Sequence, residues 1–381
     1  MKKLHIILAA VLCAFTGAAS LCAVTVASAE TPLYKAAFMI DAATGTPVYE
    51  YNADERLPIA SMVKIMTLLL CFEEADRGGI NPDSDITVSA NAASMGGSQA
   101  FLDANCSYKA GELIKSIVVA SANDSCVAMA EHICGSVESF TERMNKRAGE
   151  LGMSNTYFVN CTGLPAPNQY CSARDAVIMM RELIKHERFF EYAGVWMFDF
   201  VHPSGRITTL TNTNKLVRFY EGCDGGKTGF TNEALSCLTA TAKRGQTRFI
   251  AAVVGAPDSK TRNAEVSRLF NEGFGKYSTE KVIDSAEPLD PVPVNGGKSD
   301  SVRVAFKNDF CLFTEKSARQ EITRNIEIFD VKAPVRAGDT VGRAILTAPD
   351  GSVAGEVEIV ATENVGAMNY GDIVNDFISE W

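Results

Sequence analysis

Three short motifs follow one another along this chain of 381 residues and constrain its fold more than any other feature. They are Ser61-x-x-Lys64, Ser121-x-Asn123 and Lys227-Thr228-Gly229. Ser61 and Lys64 are three positions apart, so on a helix their side chains share a face and the amine can reach the hydroxyl. A fold that gathers the three motifs would surround a serine nucleophile with amines and hydroxyls, which suits acyl-group chemistry.

The segment around Ser61 has the pattern of a buried helix. Pro58 favours a position in the first helical turn, and residues 59–70 are nearly all apolar. We therefore predict a helix that begins near Pro58 and carries Ser61 in its first turn. There the backbone N–H of Ser61 would be unpaired within the helix, and the helix dipole would favour the negative charge of an oxyanion.

The second motif occurs twice, at Ser89-x-Asn91 and at Ser121-x-Asn123. The first copy is expected in a polar loop. Ser121 instead lies between two amphipathic stretches, residues 111–120 and 125–133, which predicts a corner between two helices. We therefore predict that the second copy is the functional one.

The third motif is predicted to lie on the first strand of a β-hairpin. Lys227 to Gly229 precede a turn at Asn232 and an alternating run at residues 235–242. A phosphate-binding loop is the rival interpretation, but the glycine that it needs would fall at Glu221.

Composition and histidine content exclude several classes of function. The net charge of −10 argues against a nucleic-acid partner, which needs a basic face. The sequence has no Cys-x-x-Cys pair and no His/Cys cluster with metal spacing, so we predict neither a metal nor another cofactor. His132, His186 and His202 are each predicted to be structural.

Eleven cysteines occur, two of them in the first 29 residues, so nine would remain after removal of that segment. Cys126 and Cys134 would lie ~12 Å apart along one helix and could not pair. Cys161 and Cys171 flank a loop and could pair. Buried free thiols are the favoured interpretation for most of the others.

The amino terminus predicts export. A basic start at Met1–Lys3, an apolar stretch to Val26 and the small residues Ala27 to Ala29 are typical of a cleaved signal peptide covering residues 1–29. The alternative is a retained membrane anchor.

The pattern changes near Tyr277. Alternating runs at residues 302–306, 322–329, 345–347 and 357–360, with a turn at Pro349–Gly351, predict a small antiparallel β domain. At the carboxyl end, residues 370–381 carry apolar side chains at helical spacing, so residues 365–381 are predicted to form an amphipathic helix. Its acidic face would be repelled by an anionic bilayer, which leaves open whether it binds a membrane, the β domain or a partner.

Six short stretches of sequence, three of which contain the motifs, follow one another along the chain: residues 57–64, 121–126, 150–156, 163–165, 172–175 and 224–229. With them, the chain from about Pro32 to about Val365 resembles the low-molecular-mass penicillin-binding proteins that act as D-alanyl-D-alanine carboxypeptidases. The resemblance implies an α/β fold: a β-lactamase-like transpeptidase domain, with an antiparallel sheet flanked by helices and a helical subdomain, then a small all-β domain. The expected boundaries are residues 30–276 and 277–364.

The resemblance also implies roles for individual residues. Ser61 would be the nucleophile that attacks the bond between two terminal D-alanines of the peptidoglycan stem peptide, and Lys64 its general base. Because a free lysine has a pKa of about 10.4, this role requires burial or a neighbouring cation such as Lys227. Ser121 would pass the proton to the leaving amine. The other expected roles are substrate binding by Asn123, Lys227, Thr228, Gly229, Phe230 and Arg262, and an oxyanion hole formed by the N–H groups of Ser61 and Phe230.

Arg262 has two interpretations, recognition of the substrate carboxylate or a salt bridge at the start of a helix. The partners implied are a stem peptide ending in D-Ala-D-Ala and β-lactam antibiotics, and the implied location is outside the cytoplasm. Trimming the terminal D-alanine would limit cross-linking. The alternatives are a β-lactamase, for which we find no Glu-x-x-x-Asn-type loop between Ser121 and Lys227, and a catalytically silent wall-binding module.

Overall fold

The computed structural model describes residues 32–318 and 321–371. Its strands are β1 Ala36–Asp41, β2 Pro47–Tyr51, β3 Asp85–Thr87, β4 Ser107–Lys109, β5 Met197–Val201, β6 Ile207–Thr211, β7 Cys223–Thr231, β8 Leu235–Arg244, β9 Thr247–Ala256, β10 Tyr277–Ile283, β11 Val292–Pro293, β12 Ser301–Val302, β13 Val304–Phe306, β14 Phe310–Glu315, β15 Thr323–Ile328, β16 Thr340–Thr347 and β17 Val353–Ala361. Its helices are α1 Lys64–Asp76, α2 Ala90–Ala93, α3 Ala110–Ala120, α4 Asn123–Cys134, α5 Val137–Glu150, α6 Ala173–Leu183, α7 Arg188–Ala193, α8 Leu216–Phe219 and α9 Ser259–Lys276, with 3-10 turns at Ala60–Val63 and Lys316–Ala318.

The central sheet is antiparallel, with strand order β2-β1-β9-β8-β7. Every residue of β1 is buried, because successive side chains enter two different cores. Phe38 and Ile40 pack with α1, α3, α4 and α6 on one face, whereas Ala37 and Met39 pack with α9 on the other. Helices therefore cover both faces of the sheet, which confirms the α/β architecture predicted for this part of the chain.

The helix that follows Ser61 is buried as predicted, with every residue from Lys64 to Phe72 inside the core. The prediction that it begins near Pro58 is wrong. The α-helix begins at Lys64, and Ser61 lies in the preceding 3-10 turn. Side chains at positions i and i+3 eclipse one another in a 3-10 turn, so this geometry still brings Lys64 to Ser61.

The two copies of the Ser-x-Asn motif differ as the sequence predicts. Helix α3 ends at Ala120 and α4 begins at Asn123, so Ser121 lies at the predicted corner between them. Ser89, predicted in a polar loop, instead caps the short helix α2 by accepting the N–H of Ala92 at 2.9 Å. Serine favours this capping position, so the first copy has a local structural role.

The carboxyl-terminal region forms separate small sheets around a third apolar core. The largest has the order β13-β17-β16-β15, and Pro349–Gly351 joins β16 to β17 as predicted. The prediction that residues 302–306 form one continuous strand is wrong. The strand breaks at Arg303, whose N–H donates to Glu363, so β12 and β13 belong to different sheets.

Direct contacts join this region to the central sheet and to α9. The Thr279 hydroxyl on β10 donates to buried Asp41 on β1 at 2.6 Å, and the Lys316 amine donates to the Phe274 carbonyl at 2.7 Å. Strand β10 begins at Tyr277.

Two predicted segments lie outside the described residues: the signal peptide at 1–29 and residues 372–381 of the predicted terminal helix. Among the helices that the structure describes, none is long and apolar enough to cross a membrane. The cysteines from Cys71 to Cys311 are all free thiols in the described chain. The pairing considered for Cys161 and Cys171 is therefore wrong, and the Cys171 thiol instead contacts the Thr156 hydroxyl and the Ser172 carbonyl.

Candidate active site

The first motif brings a lysine amine to the serine hydroxyl. Lys64 is fully buried, and its Nζ donates to Ser61 Oγ at 2.9 Å and to the carbonyl oxygen of Thr162 at 2.5 Å. The Thr162 carbonyl therefore holds the same amine that contacts the serine. The serine residue itself is only partly buried.

The turn that carries Ser61 is held by two close backbone approaches. Ala60 has a left-handed backbone with φ of +49°, a conformation that costs a non-glycine residue about 1 kcal/mol. A Cβ atom on Gly163 would lie 2.1 Å from the Ala60 carbonyl oxygen, and one on Gly229 would lie 2.3 Å from the Ile59 carbonyl oxygen. Only glycine at these two positions lets the 160–163 loop and strand β7 press against the serine turn.

The second motif presents two polar atoms without partners. Ser121 has φ of +65°, and its Oγ and the Oδ1 of Asn123 are buried with no hydrogen bond within the described chain. Asn123 is anchored elsewhere: its Nδ2 donates to the Gly96 carbonyl and its N–H to the Ser98 carbonyl, each at 2.7 Å. Because buried polar atoms normally have partners, these two orphaned atoms indicate a place where a ligand supplies them.

The third motif lies on strand β7, which confirms the predicted hairpin with β8. Lys227 is 2% exposed, and its Nζ donates to the Thr228 carbonyl at 3.1 Å. The Thr228 hydroxyl donates to the Thr213 hydroxyl at 2.8 Å. Gly229 adjoins the serine turn, and Phe230 beyond it is largely exposed.

Arg262 is buried in the first turn of α9, where it donates to the Cys237 carbonyl and to the side chain of Asn263. The salt bridge considered for it is wrong. Within residues 32–318 and 321–371, none of Arg262, Lys64 and Lys227 forms an ion pair with a carboxylate. Three buried basic side chains that form no ion pair are suited to an anionic ligand.

Burial lowers the pKa of Lys64 below its ordinary value, against an opposing attraction from Cys126, Cys161 and Asp124. Burial also places the pKa of Lys227 well below its ordinary value, and repulsion from Lys64 and Arg262 adds to this shift. The two amines therefore resist carrying two positive charges together. A neutral Lys64 amine is able to accept a proton.

Sequence reasoning missed several residues that shape the site. The Thr162 carbonyl is a backbone group, and every residue has one, so the sequence does not indicate its role. Asn160 holds the Thr162 turn, Thr213 accepts from Thr228, and Asp124 accepts the N–H groups of Ala100 and Leu102. The identity of Asp124, next to the second motif, was the available signal, since a buried carboxylate requires donors.

No group of three or more His, Cys, Asp or Glu side chains within the described residues could hold a metal ion. The fold and the site together define a class of active-site-serine enzymes in which a buried lysine, rather than a histidine, stands beside the serine.

Comparisons with known proteins identify the family. A family model described as D-alanyl-D-alanine carboxypeptidase matches residues 23–258, and one described as the C-terminal domain of penicillin-binding protein 5 matches residues 277–367. D-alanyl-D-alanine carboxypeptidase DacF of Bacillus subtilis (strain 168) is 38% identical over 349 residues, which cover 91% of this chain and 90% of the relative. The chain belongs to the D-alanyl-D-alanine carboxypeptidase family, as the sequence motifs predict.

Solved structures support the same fold over both regions. Penicillin binding protein 5 from Haemophilus influenzae superimposes with a TM-score of 0.70 at 28% identity, covering 88% of this chain and 98% of that one. A peptidoglycan synthesis regulatory factor, PBP3 from Streptococcus pneumoniae, gives 0.68 at 26% identity, covering 88% and 100%. The prediction of a transpeptidase-like domain followed by an all-β domain is confirmed.

Proposed function

We propose that Ser61 is the nucleophile of a serine D-alanyl-D-alanine carboxypeptidase that removes the terminal D-alanine from peptidoglycan stem peptides. The single observation that carries this assignment is the 2.9 Å contact between Lys64 Nζ and Ser61 Oγ. A hydrogen-bonded nucleophile and base, with the base oriented by a third group, is the arrangement that activates a serine. Here the third group is the Thr162 carbonyl.

The reaction then runs in two halves. Neutral Lys64 takes the hydroxyl proton as Ser61 Oγ bonds to the penultimate carbonyl carbon, and the carbonyl electrons move to its oxygen. When they return, the C–N bond breaks, and the departing amine takes a proton that Ser121 passes on from Lys64. Water next attacks the acyl ester and restores the Ser61 hydroxyl. The orphaned Ser121 Oγ is consistent with this transfer.

The remaining site residues bind the substrate. Lys227, Thr228 and Arg262 would hold the terminal carboxylate, because the two basic side chains are buried and neither forms an ion pair among the described residues. Asn123 would grip the substrate backbone through its orphaned Oδ1. The N–H groups of Ser61 and Phe230 would form the oxyanion hole, where a removed donor typically costs ~100-fold in rate.

The proposal includes the location and the domain plan. Residues 1–29 would be a signal peptide that exports the chain, residues 30–276 the catalytic domain and residues 277–364 a β domain without catalytic residues. Removal of D-alanine outside the cytoplasm would limit the donors for cross-linking.

Sedimentation with anionic and neutral vesicles, with and without residues 365–381, would test whether the terminal segment binds a membrane surface.

Intact-protein mass spectrometry with benzylpenicillin, on the chain lacking residues 1–29, tests the assignment. We expect a stable adduct of one penicillin at Ser61, and none in a folded Ser61→Ala variant. An adduct that persists in that variant would refute the mechanism. Rapid destruction of penicillin without an adduct would favour a β-lactamase, and neither adduct nor destruction would favour a silent binding module.

A further inference from the structure

Residues 212–215 connect β6 to α8 and place Thr213 beside the third motif. Its two flanking asparagines are buried, at 5% exposure for Asn212 and 1% for Asn214. Asn212 Nδ2 donates to the Val195 carbonyl at 2.9 Å, and Asn214 Nδ2 donates to the Gly225 carbonyl at 3.2 Å. The Asn212 side chain also accepts the Asn214 N–H at 2.9 Å. These bonds fix the backbone on both sides of Thr213.

Thr213 itself connects two of the three motifs. Its N–H donates to the carbonyl of Val119, two residues before Ser121, at 3.0 Å. Its Oγ1 accepts the hydroxyl of Thr228 at 2.8 Å. Unlike the asparagines, Thr213 is only half-buried. Thr213 therefore connects the Ser121 corner with strand β7 and is partly exposed.

The direction of the Thr213–Thr228 bond determines which hydroxyl proton is available. Thr228 donates, so its proton is directed at Thr213 Oγ1. Each hydroxyl has a single proton, and no acceptor within the described residues takes that of Thr213. Accepting one bond polarises a hydroxyl and strengthens the bond that it donates.

We propose that Thr213 is a specificity-determining residue whose hydroxyl donates to the terminal carboxylate of the substrate, alongside Lys227. The inference rests on the proposed function of this site and adds Thr213 to its carboxylate subsite, where Thr228 contributes through the bond that it donates to Thr213 rather than by a direct contact. A hydroxyl that donates to a carboxylate makes a short, charge-assisted bond, so Thr213 would favour ligands with a free carboxylate over ligands in which it is masked.

The test compares acylation by benzylpenicillin with acylation by its methyl ester, in which the carboxylate is masked. Thr213→Val keeps the shape of the side chain and removes the hydroxyl, whereas Thr213→Ser keeps the hydroxyl. We expect the rate ratio of acid to ester to fall about tenfold in Thr213→Val, as for a lost hydrogen bond to a charged group. Thr213→Ser should restore most of the ratio.

An unchanged ratio in folded Thr213→Val would overturn the proposal. A double variant separates direct donation from support of Thr228. If Thr213→Val still lowers the ratio in a Thr228→Val background, Thr213 contacts the carboxylate itself; if it has no effect there, Thr213 acts only through Thr228 and the proposal fails. Absence of any wild-type acylation would instead refute the proposed function, and this inference with it.

Discussion

Lys64 Nζ lies 2.9 Å from Ser61 Oγ and is held at 2.5 Å by the carbonyl oxygen of Thr162. The carbonyl can only accept, so it fixes one amine hydrogen and leaves the rest of the amine facing the serine. A charged ammonium has no lone pair with which to take the serine proton. Burial lowers the pKa of Lys64 and therefore lowers the pH at which its amine is neutral and can act as the base for Ser61.

The first prediction concerns the pH dependence of acylation. The rate constant for benzylpenicillin should rise with pH as Lys64 loses its proton, then level off below pH 10.4, the ordinary pKa of lysine. Stopped-flow measurements between pH 5 and 10, within the range where the protein stays folded, would define the midpoint. A rate that still climbs tenfold per pH unit near pH 10 would show that Lys64 is not the titrating base.

The second prediction is that Lys227 lowers stability while it serves binding. Its folded-state pKa is depressed, so the unfolded chain binds more protons and the free energy of unfolding rises with pH up to about 10.4. Lys227→Met should therefore stabilise the fold at pH 7, with a gain that shrinks toward pH 10. Urea unfolding at both pH values measures this. Lys215→Met, on an exposed lysine, is the control, and an equal gain there would contradict the argument.

Much of the site was predictable because its residues lie in short contiguous motifs whose local structure follows from periodicity. The Ser121 corner and the β7–β8 hairpin are such cases. The residues that were missed act through long-range contacts. The Thr162 carbonyl reaches Lys64 across 98 positions, and only folding makes them neighbours.

The errors in the fold have local physical causes. Apolar periodicity locates a buried helix but does not report whether its first turn is 3-10 or α, so the helix start before Lys64 was misplaced. The strand predicted at residues 302–306 alternates well, yet the backbone of Arg303 bonds to Glu363 and Thr362, and the residues on its two sides pair with different strands.

The third prediction assigns a positioning role to Asn160. Its Oδ1 accepts the N–H groups of Thr162 at 3.1 Å and Gly163 at 2.7 Å, and its Nδ2 donates to the Leu164 carbonyl at 3.0 Å. Asn160→Ala should release this turn, lower the free energy of unfolding by roughly 1–3 kcal/mol and slow acylation at least ~10-fold.

The role of Asn160 through Lys64 can be separated from a general loss of stability. A displaced Thr162 carbonyl would change the environment of the Lys64 amine, so the acylation midpoint should also move in Asn160→Ala. Asn155→Ala removes another asparagine of the same region, one that bonds to Arg56 instead. It should leave the midpoint in place; a midpoint unchanged in both variants would reduce Asn160 to a structural residue.

The fourth prediction uses two glycines with the same backbone conformation. Gly163 and Gly152 have φ of +78° and +73°, so alanine at either position costs about 1–2 kcal/mol in conformational energy. Only at Gly163 would the new methyl also meet protein, 2.1 Å from the Ala60 carbonyl oxygen and 2.9 Å from the backbone nitrogen of Ser61. Gly152 has no atom within 4 Å of the added carbon.

Gly163→Ala should therefore push the serine turn out of place, and a shift of about 1 Å there is enough to slow acylation ~100-fold. Gly152→Ala should acylate at nearly the wild-type rate despite a similar backbone cost. The measurement is penicillin acylation at a temperature where both variants are shown to be folded by circular dichroism. Equal rates in the two variants would mean that the close approach of Gly163 to Ala60 does not control the position of the nucleophile.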